Sequence, residues 1–291
     1  MKKIVILGCE NSHATNFLKQ IAENKEYKDV EVVGVYTDEI EAAKRLNETY
    51  GVPIMEHYDE AVGKVDGVII TARHGDNHYK YAKPYIASGV PMFIDKPITI
   101  SEDEAVEFMK ELKENGVRVS GGSSLKHADE VILLKEEREK GAGGATMSGF
   151  AQAPLHIDER YGGFYFYAQH LVEMICEIYG RFPFTVRATQ NGTQIHIVFH
   201  YEDYDCVGLY STYCGHYHVS RVAVDYCKSC PIADNLPNCF DREFAEYYHL
   251  LSGGEQRDTY EEFAAPVFIL NAIKRSLDNG GSVESVLHPT I

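Results

Sequence analysis

The sequence has no tryptophan and is short of bases. Its 291 residues carry 28 Lys and Arg against 44 Asp and Glu, a formal net charge of −16. That balance lacks the basic patches that displace counterions from nucleic acid or dock on anionic lipid, so neither is expected as a partner. Long apolar runs are missing as well, since no stretch approaches the ~20 residues of a membrane span. The opening MKKIVILG has two lysines and a short apolar run. Neither the longer apolar core nor the small-residue cleavage site of a signal peptide follows it. It reads as the first β-strand of a cytoplasmic protein. Cysteine is sparse, and seven is an odd number, which fits reduced thiols rather than a disulfide scaffold. Internal repeats and low-complexity tracts are also lacking.

What is present is core-forming. Hydrophobic residues make up 44% and charged residues 25%, an ordinary globular balance, and the length suggests two domains or one large one. The first third alternates regularly. Lys3 to Leu7, Val30 to Val35, Gly67 to Thr71, Met92 to Ile94 and Val117 to Ser120 read as buried strands. Between them, Asn11 to Glu23, Glu39 to Tyr50 and His78 to Ser88 have helical periodicity. Ser101 with Glu104 three residues on is a capping box opening one more helix. The pattern predicts an α/β domain over residues 1–120, a Rossmann-type doubly wound parallel sheet. Residues 121–291 read as an α+β domain for substrate and oligomerisation. Helices over Val131 to Lys140 and His170 to Tyr179 precede four strand-like runs, Thr185 to Thr189, Gln194 to Tyr201, Asp205 to Tyr213 and Tyr217 to Val224. With no helices between them they predict an open antiparallel sheet. Cys227 to Cys239, with two prolines, reads as a loop, and a final helix at about 263–278 is free to pack back on the first domain.

The first strand runs into Gly8-Cys9-Glu10-Asn11-Ser12-His13. A dinucleotide fold wants G-x-G-x-x-G there, for a tight turn and close approach of the backbone to pyrophosphate. Only Gly8 is kept; Glu10 stands at the second glycine and His13 at the third. A glutamate where phosphate should lie is unfavourable in size and charge. Asn11, Ser12 and the helix N-terminus still offer donors, and His13 adds a potential positive one; alternatively Glu10 faces solvent and Asn11 or Ser12 caps the helix. The second strand ends at Thr37-Asp38, and an acid there accepts from ribose hydroxyls, which favours NAD over NADP; Asp38 capping the next helix is the equal alternative.

The stretch TARHGDNHYKYAKPYIASGVPMFIDKPITISEDEAVEFMKELKENG resembles a segment of the glucose–fructose oxidoreductase/inositol dehydrogenase (Gfo/Idh/MocA) family. Thr71, His78, Gly89 and Asp95-Lys96-Pro97 fall at its strand end, histidine, glycine and acid-Lys-Pro positions. Asp95 shortens the usual glutamate, Arg73 takes the place of a usual proline, and the nucleotide turn is the main departure. APVFILNAIKRSLDNGGSV looks like the family's closing helix, with Ala272, Ser276 and Gly280 at matching places. The resemblance implies an NAD(P)-dependent oxidoreductase of sugars, polyols and related compounds, pairing a Rossmann domain with an open antiparallel sheet through which homodimers or homotetramers form.

Hydride transfer needs a group that handles the hydroxyl proton. Lys96 is placed for it, at the carboxyl end of a parallel strand, with Asp95 to pair its ammonium; a surface salt bridge is the plainer alternative. The resemblance adds a helix after a Gly-Gly turn, carrying an Asp and, four residues on, a His that works with the lysine. His170 fits the His, and Phe166 stands where the Asp belongs. Tyr165 or Tyr167 is left to contribute a hydroxyl or stack on a sugar. His170 and Glu173 share a helix face at i and i+3, to orient each other or ligate a metal, or as a plain exposed pair. Asn77 and His78 follow the third strand near the expected nicotinamide or ribose; His78 capping its helix is the alternative. Lys126 and His127 are substrate-pocket candidates. Cys227, Cys230 and Cys239 resemble half of a thiolate metal site, with Cys214, His216 or His218 as a fourth ligand, against a plain loop of reduced thiols. Two other functions stay open: a non-redox binding or regulatory protein that keeps the fold without the cofactor, favoured by Glu10, His13 and the missing Asp, and a metal-binding enzyme or module.

Overall fold

The apolar runs of the first third become five parallel strands, β1 (Lys2–Leu7), β2 (Val30–Tyr36), β3 (Gly67–Ile70), β4 (Met92–Asp95) and β5 (Val119–Gly122), in the order β2-β1-β3-β4-β5. Helices α1 (Ser12–Glu23), α2 (Ile40–Tyr50), α3 (Asp76–Ile86) and α4 (Glu102–Glu114) connect them. The strand order reverses between β1 and β3, the switch point at whose crevice doubly wound sheets bind ligands. The computed structural model describes residues 1–232 and 237–291. They form two compact units, one of Met1–Gly122 with Phe240–Tyr260 and Ile291, the other of Ser123–Cys239 with Glu261–Thr290.

The first unit therefore takes in a helix from late in the chain. Its core joins Ile4, Ile6, Phe17, Val35 and Phe93 to Phe244 and Tyr247 of that helix. The Phe17 ring meets Phe93 and Phe244 at 5.0 and 5.2 Å between centroids. Gly67 is required by this packing, because a Cβ there would lie 2.3 Å from the Tyr247 hydroxyl.

In the second unit, α5 (Asp129–Glu139), β6 (Thr146–Pro154) and α6 (Tyr165–Tyr179) lead into β7 (Thr185–Asn191), β8 (Gln194–His200), β9 (Asp205–Ser211), β10 (Tyr217–Ala223) and β11 (Tyr226–Ile232). The late helix of the first unit is α7 (Pro237–Leu251); α8 (Tyr260–Asp278) and β12 (Val283–Ser285) close the chain. The second sheet runs β11-β10-β6-β9-β8-β7-β12 and is antiparallel except between β6 and β9, which are parallel. Alternate residues of β8 and β9 are buried, so one face is core and the other is open. The nearly all-buried α6 lies on the core face, where Tyr210 on β9 donates its hydroxyl to Ala168 O at 2.5 Å.

Residues 227–239 differ from the expected loop. Cys227 and Cys230 lie on β11, which pairs with β10, and Cys239 lies on α7; residues 233–236 of the expected loop fall outside the described ones. Helix α8 lies in the second unit. No helix among the described residues is long and apolar enough to cross a membrane.

Candidate active site

Lys96 follows β4 directly and is 4% exposed. Its backbone N–H donates to Asp95 Oδ1 at 2.7 Å, and its peptide bond to Pro97 is cis. Asp95 is wholly buried, and its Oδ2 accepts from Asn11 Nδ2 at 2.6 Å. Below them His13 stands between two acids, with Nδ1 3.2 Å from Asp95 Oδ2 and Nε2 3.1 Å from Glu243 Oε2. Glu243 comes from α7, and the sequence reading passed over it. Phe240, Phe244 and Tyr247 recur at helical spacing around it, the signal that marks this helix and its buried face. Burial is the largest influence on all three ionisable groups of this chain segment and favours their neutral forms. It pushes Lys96 below the usual lysine range, with Asp95 and Glu243 opposing. It pushes Asp95 up, against His13 and Lys96, and His13 down, against Asp95.

The first turn is tight, as the sequence required. Gly8 has φ +75°, and a Cβ on it would lie 2.3 Å from Ala72 N. Other expectations at this turn are corrected. Glu10 does not face solvent: its carboxylate accepts from the Thr37 hydroxyl at 2.7 Å and from the Arg73 backbone N–H at 2.9 Å. It thus bridges from the end of β1 to the ends of β2 and β3, across the switch point. His13 is not a phosphate donor, since it is 3% exposed and packs edge-on to Phe17 and Phe240. Asn11 is the N-cap residue of α1, but its side chain makes no capping bond and turns to Asp95, and Ser12 Oγ donates to Asn11 Oδ1 at 3.2 Å.

Asp38 accepts from two tyrosine hydroxyls, Tyr36 at 2.7 Å and Tyr81 at 2.9 Å, and these hold it below the usual carboxylate range. It does not cap α2. Thr71 is wholly buried and donates to Gly8 O at 3.0 Å, tying β3 to the first turn. His78 does not reach into a ligand space: it is wholly buried, with Nδ1 3.2 Å from Ile98 O and Nε2 2.8 Å from Ala72 O. Burial pulls its pKa down to about 4. Near the end of β2, Arg73 Nη1 lies 3.8 Å from Glu39, so the tertiary fold brings a guanidinium where the sequence showed none.

A dinucleotide's diphosphate needs donors at this switch point. The Thr37 hydroxyl and Arg73 amide are such donors, and Glu10, an anion of the chain itself, fills them. The donors fit the group, which would take them in place of the Glu10 carboxylate. A cavity of about 400 Å³ borders them, lined among others by Ser12, Thr15, Arg45 and Arg73.

In the second unit, His170 on α6 is 6% exposed. Its Nδ1 lies 2.7 Å from the Ser123 hydroxyl, a partner absent from the sequence reading. Its ring meets Tyr167 edge-on at 4.6 Å, and the Tyr167 hydroxyl lies 3.3 Å from that of Tyr217. Glu173 is not an exposed partner of His170. It is buried, accepts from Gln169 Nε2 at 2.9 Å and lies 3.6 Å from Arg181. Tyr165 donates to Asn271 Oδ1 at 2.9 Å, and Lys126 and His127 are buried in a short 3-10 turn.

The cysteines do not converge. Three positions apart on a strand, Cys227 and Cys230 point to opposite faces, and Cys227 is exposed while Cys239 is buried. Among the described residues no three His, Cys, Asp or Glu side chains group as a metal site.

Residues 2–123 match the family model described as an oxidoreductase family with an NAD-binding Rossmann fold. A glucose-6-phosphate 3-dehydrogenase of Bacillus subtilis (strain 168) is 30% identical over 139 residues, covering 46% of this chain and 37% of that protein's length. Solved structures are similar from end to end. A putative myo-inositol dehydrogenase from Sinorhizobium meliloti 1021 has a TM-score of 0.85 at 15% identity, covering 99% of this chain and 100% of the other. A scyllo-inositol dehydrogenase from Lactobacillus casei with bound NAD(H) and scyllo-inositol has a TM-score of 0.83 at 14% identity, covering 98% and 99%. Residues 2–123 thus match the NAD-binding Rossmann domain of the Gfo/Idh/MocA oxidoreductase family, and the whole chain carries the fold of these solved dehydrogenases.

Proposed function

We propose that the chain is an NAD-dependent dehydrogenase of a small sugar, polyol or related hydroxy or carbonyl compound, with NADP as the alternative cofactor. The observation that carries this reading is Lys96: a buried lysine beside an acid, at the carboxyl end of a strand in an NAD-binding fold. Nicotinamide, when bound, supplies the hydride acceptor or donor. Ser12, the N-terminus of α1, the Thr37 hydroxyl and the Arg73 amide would hold the dinucleotide. Asp38, already engaged by two tyrosines, keeps lone pairs for a ribose hydroxyl. Lys96 takes or gives the hydroxyl proton, and burial equips it for that by weakening its hold on the proton. His170, in the second unit, is the candidate for binding the substrate oxygen, with Tyr167 and Lys126 as further substrate-binding candidates of that unit.

The open face of the second sheet carries Phe150, Val198, Val207 and Leu209, only partly covered. That stripe supports assembly as a homodimer or homotetramer, which light scattering after size exclusion tests. Turnover of a panel of sugars, sugar phosphates and polyols with NAD or NADP, followed at the nicotinamide absorbance, tests the activity. A purified protein inactive on the whole panel in both directions counts against the reading. Glu10 lends weight to a second one, a non-redox protein whose own carboxylate has taken the anion's place; binding of NADH to the wild type separates the two.

A further inference from the structure

Ser123 comes one residue after β5 and is wholly buried. Its Oγ accepts from the Leu125 N–H at 3.2 Å, capping the 3-10 turn Ser124–His127, and lies 2.7 Å from His170 Nδ1. Among the described residues it makes no other hydrogen bond. A hydroxyl has one hydrogen and two lone pairs. One lone pair serves Leu125, and Nδ1 is the acceptor within reach of the hydroxyl hydrogen, so the arrangement that uses that buried hydrogen has Ser123 donating to Nδ1. Nδ1 then offers its own lone pair, and in a neutral imidazole the proton sits on Nε2.

We propose that Ser123 is a positioning residue that fixes His170 as the Nε2–H tautomer, so that the ring meets the substrate oxygen as a hydrogen-bond donor and not as a proton acceptor. The proposal rests on the reading of His170 as the substrate-facing group of the second unit. A carboxylate partner would impose the reverse. It can only accept, takes the Nδ1 proton and leaves Nε2 as a base, as in acid-His pairs generally. In this chain the position four residues before His170 is Phe166, which can do neither. The acid one helical turn after His170, Glu173, is engaged by Gln169 and Arg181. The ring meets Tyr167 and Tyr217 edge-on. Exchange of a carboxylate for a hydroxyl thus moves the ring proton from one nitrogen to the other. His170 is then equipped to polarise or steady the oxygen, not to take its proton.

The test is imidazole nitrogen NMR on the full chain labelled with 15N-histidine, with His170→Gln used only to assign the resonances. In the neutral ring, Nε2 is expected to carry the proton and Nδ1 to appear as an unprotonated nitrogen displaced upfield by the bond it accepts. Ser123→Ala should abolish that displacement and Ser123→Thr should keep it. A protonated Nδ1 in the wild type overturns the proposal, and so does an Nδ1 resonance unmoved in folded Ser123→Ala. The wild-type spectrum decides alone if the alanine variant does not fold. No substrate or cofactor is needed, so failure of the dehydrogenase reading shows in turnover and failure of this proposal shows in the tautomer.

Discussion

Lys96 and His170 are both buried and both held by a close partner, yet the hold differs in kind. In the first unit Lys96 sits in a nest of ionisable groups, Asp95, His13 and Glu243, where burial and charge shift the titration of Lys96, Asp95 and His13. In the second unit a neutral hydroxyl lies 2.7 Å from His170 Nδ1, and in our proposal the direction of that hydrogen bond places the ring proton. The contrast teaches that one fold can prepare two groups by separate means. Electrostatic preparation follows pH throughout; a hydrogen bond from serine to the ring holds as long as the imidazole is neutral. Substitutions at the ionisable groups of the first unit should therefore have effects that vary with pH, and those at neutral hydrogen bonds of the second should not.

The largest effect is expected at Lys96. Lys96→Ala should lower turnover by about a hundredfold or more while cofactor affinity stays within about tenfold, measured by steady-state kinetics and NADH titration. Unchanged turnover removes Lys96 from the mechanism. Next is His78, whose folded pKa of about 4 lies below its ordinary 6.5. The unfolded chain takes up that proton first. The contribution of His78 to stability is therefore complete above pH 6.5 and is lost as pH falls toward 4, about 2 kcal/mol of it between pH 7 and pH 5. Urea unfolding at the two pH values should show a slope that His78→Asn makes shallower by that amount; an equal slope in both proteins breaks the first half of the comparison. The smallest effect belongs to the second unit. Tyr165→Phe removes the hydroxyl bonded to Asn271 and should cost about 1 kcal/mol. The loss should be the same from pH 6 to pH 9, and a loss that changes across that range breaks the other half.

The strand-helix alternation, the end of β4 and the placement of His170 on a helix were legible because each is local: an apolar run, a capping box, a periodic face. Glu243 and α7 were missed because their burial comes from a core nearly the whole chain away in sequence. Ser123 was missed because a serine after a strand is ordinary until a histidine 47 positions later meets it. At the first turn the sequence showed which glycines were absent but not where their replacements point. Glu10 had two solutions, solvent or crevice, and only the tertiary ends of β2 and β3 decide for the crevice. The cysteines misled for a related reason: their spacing suits a turn, but a strand turns them apart.

Titration with NADH, followed by fluorescence, tests the central claim most directly, in the wild type and in Glu10→Ala. In the proposed function a dinucleotide binds in the crevice between β1 and β3, on donors that Glu10 occupies. Saturable binding by the wild type is expected, tighter by about tenfold or more in Glu10→Ala, equivalent to about 1.4 kcal/mol. Two folded proteins that both fail to bind NADH at millimolar concentration would contradict it.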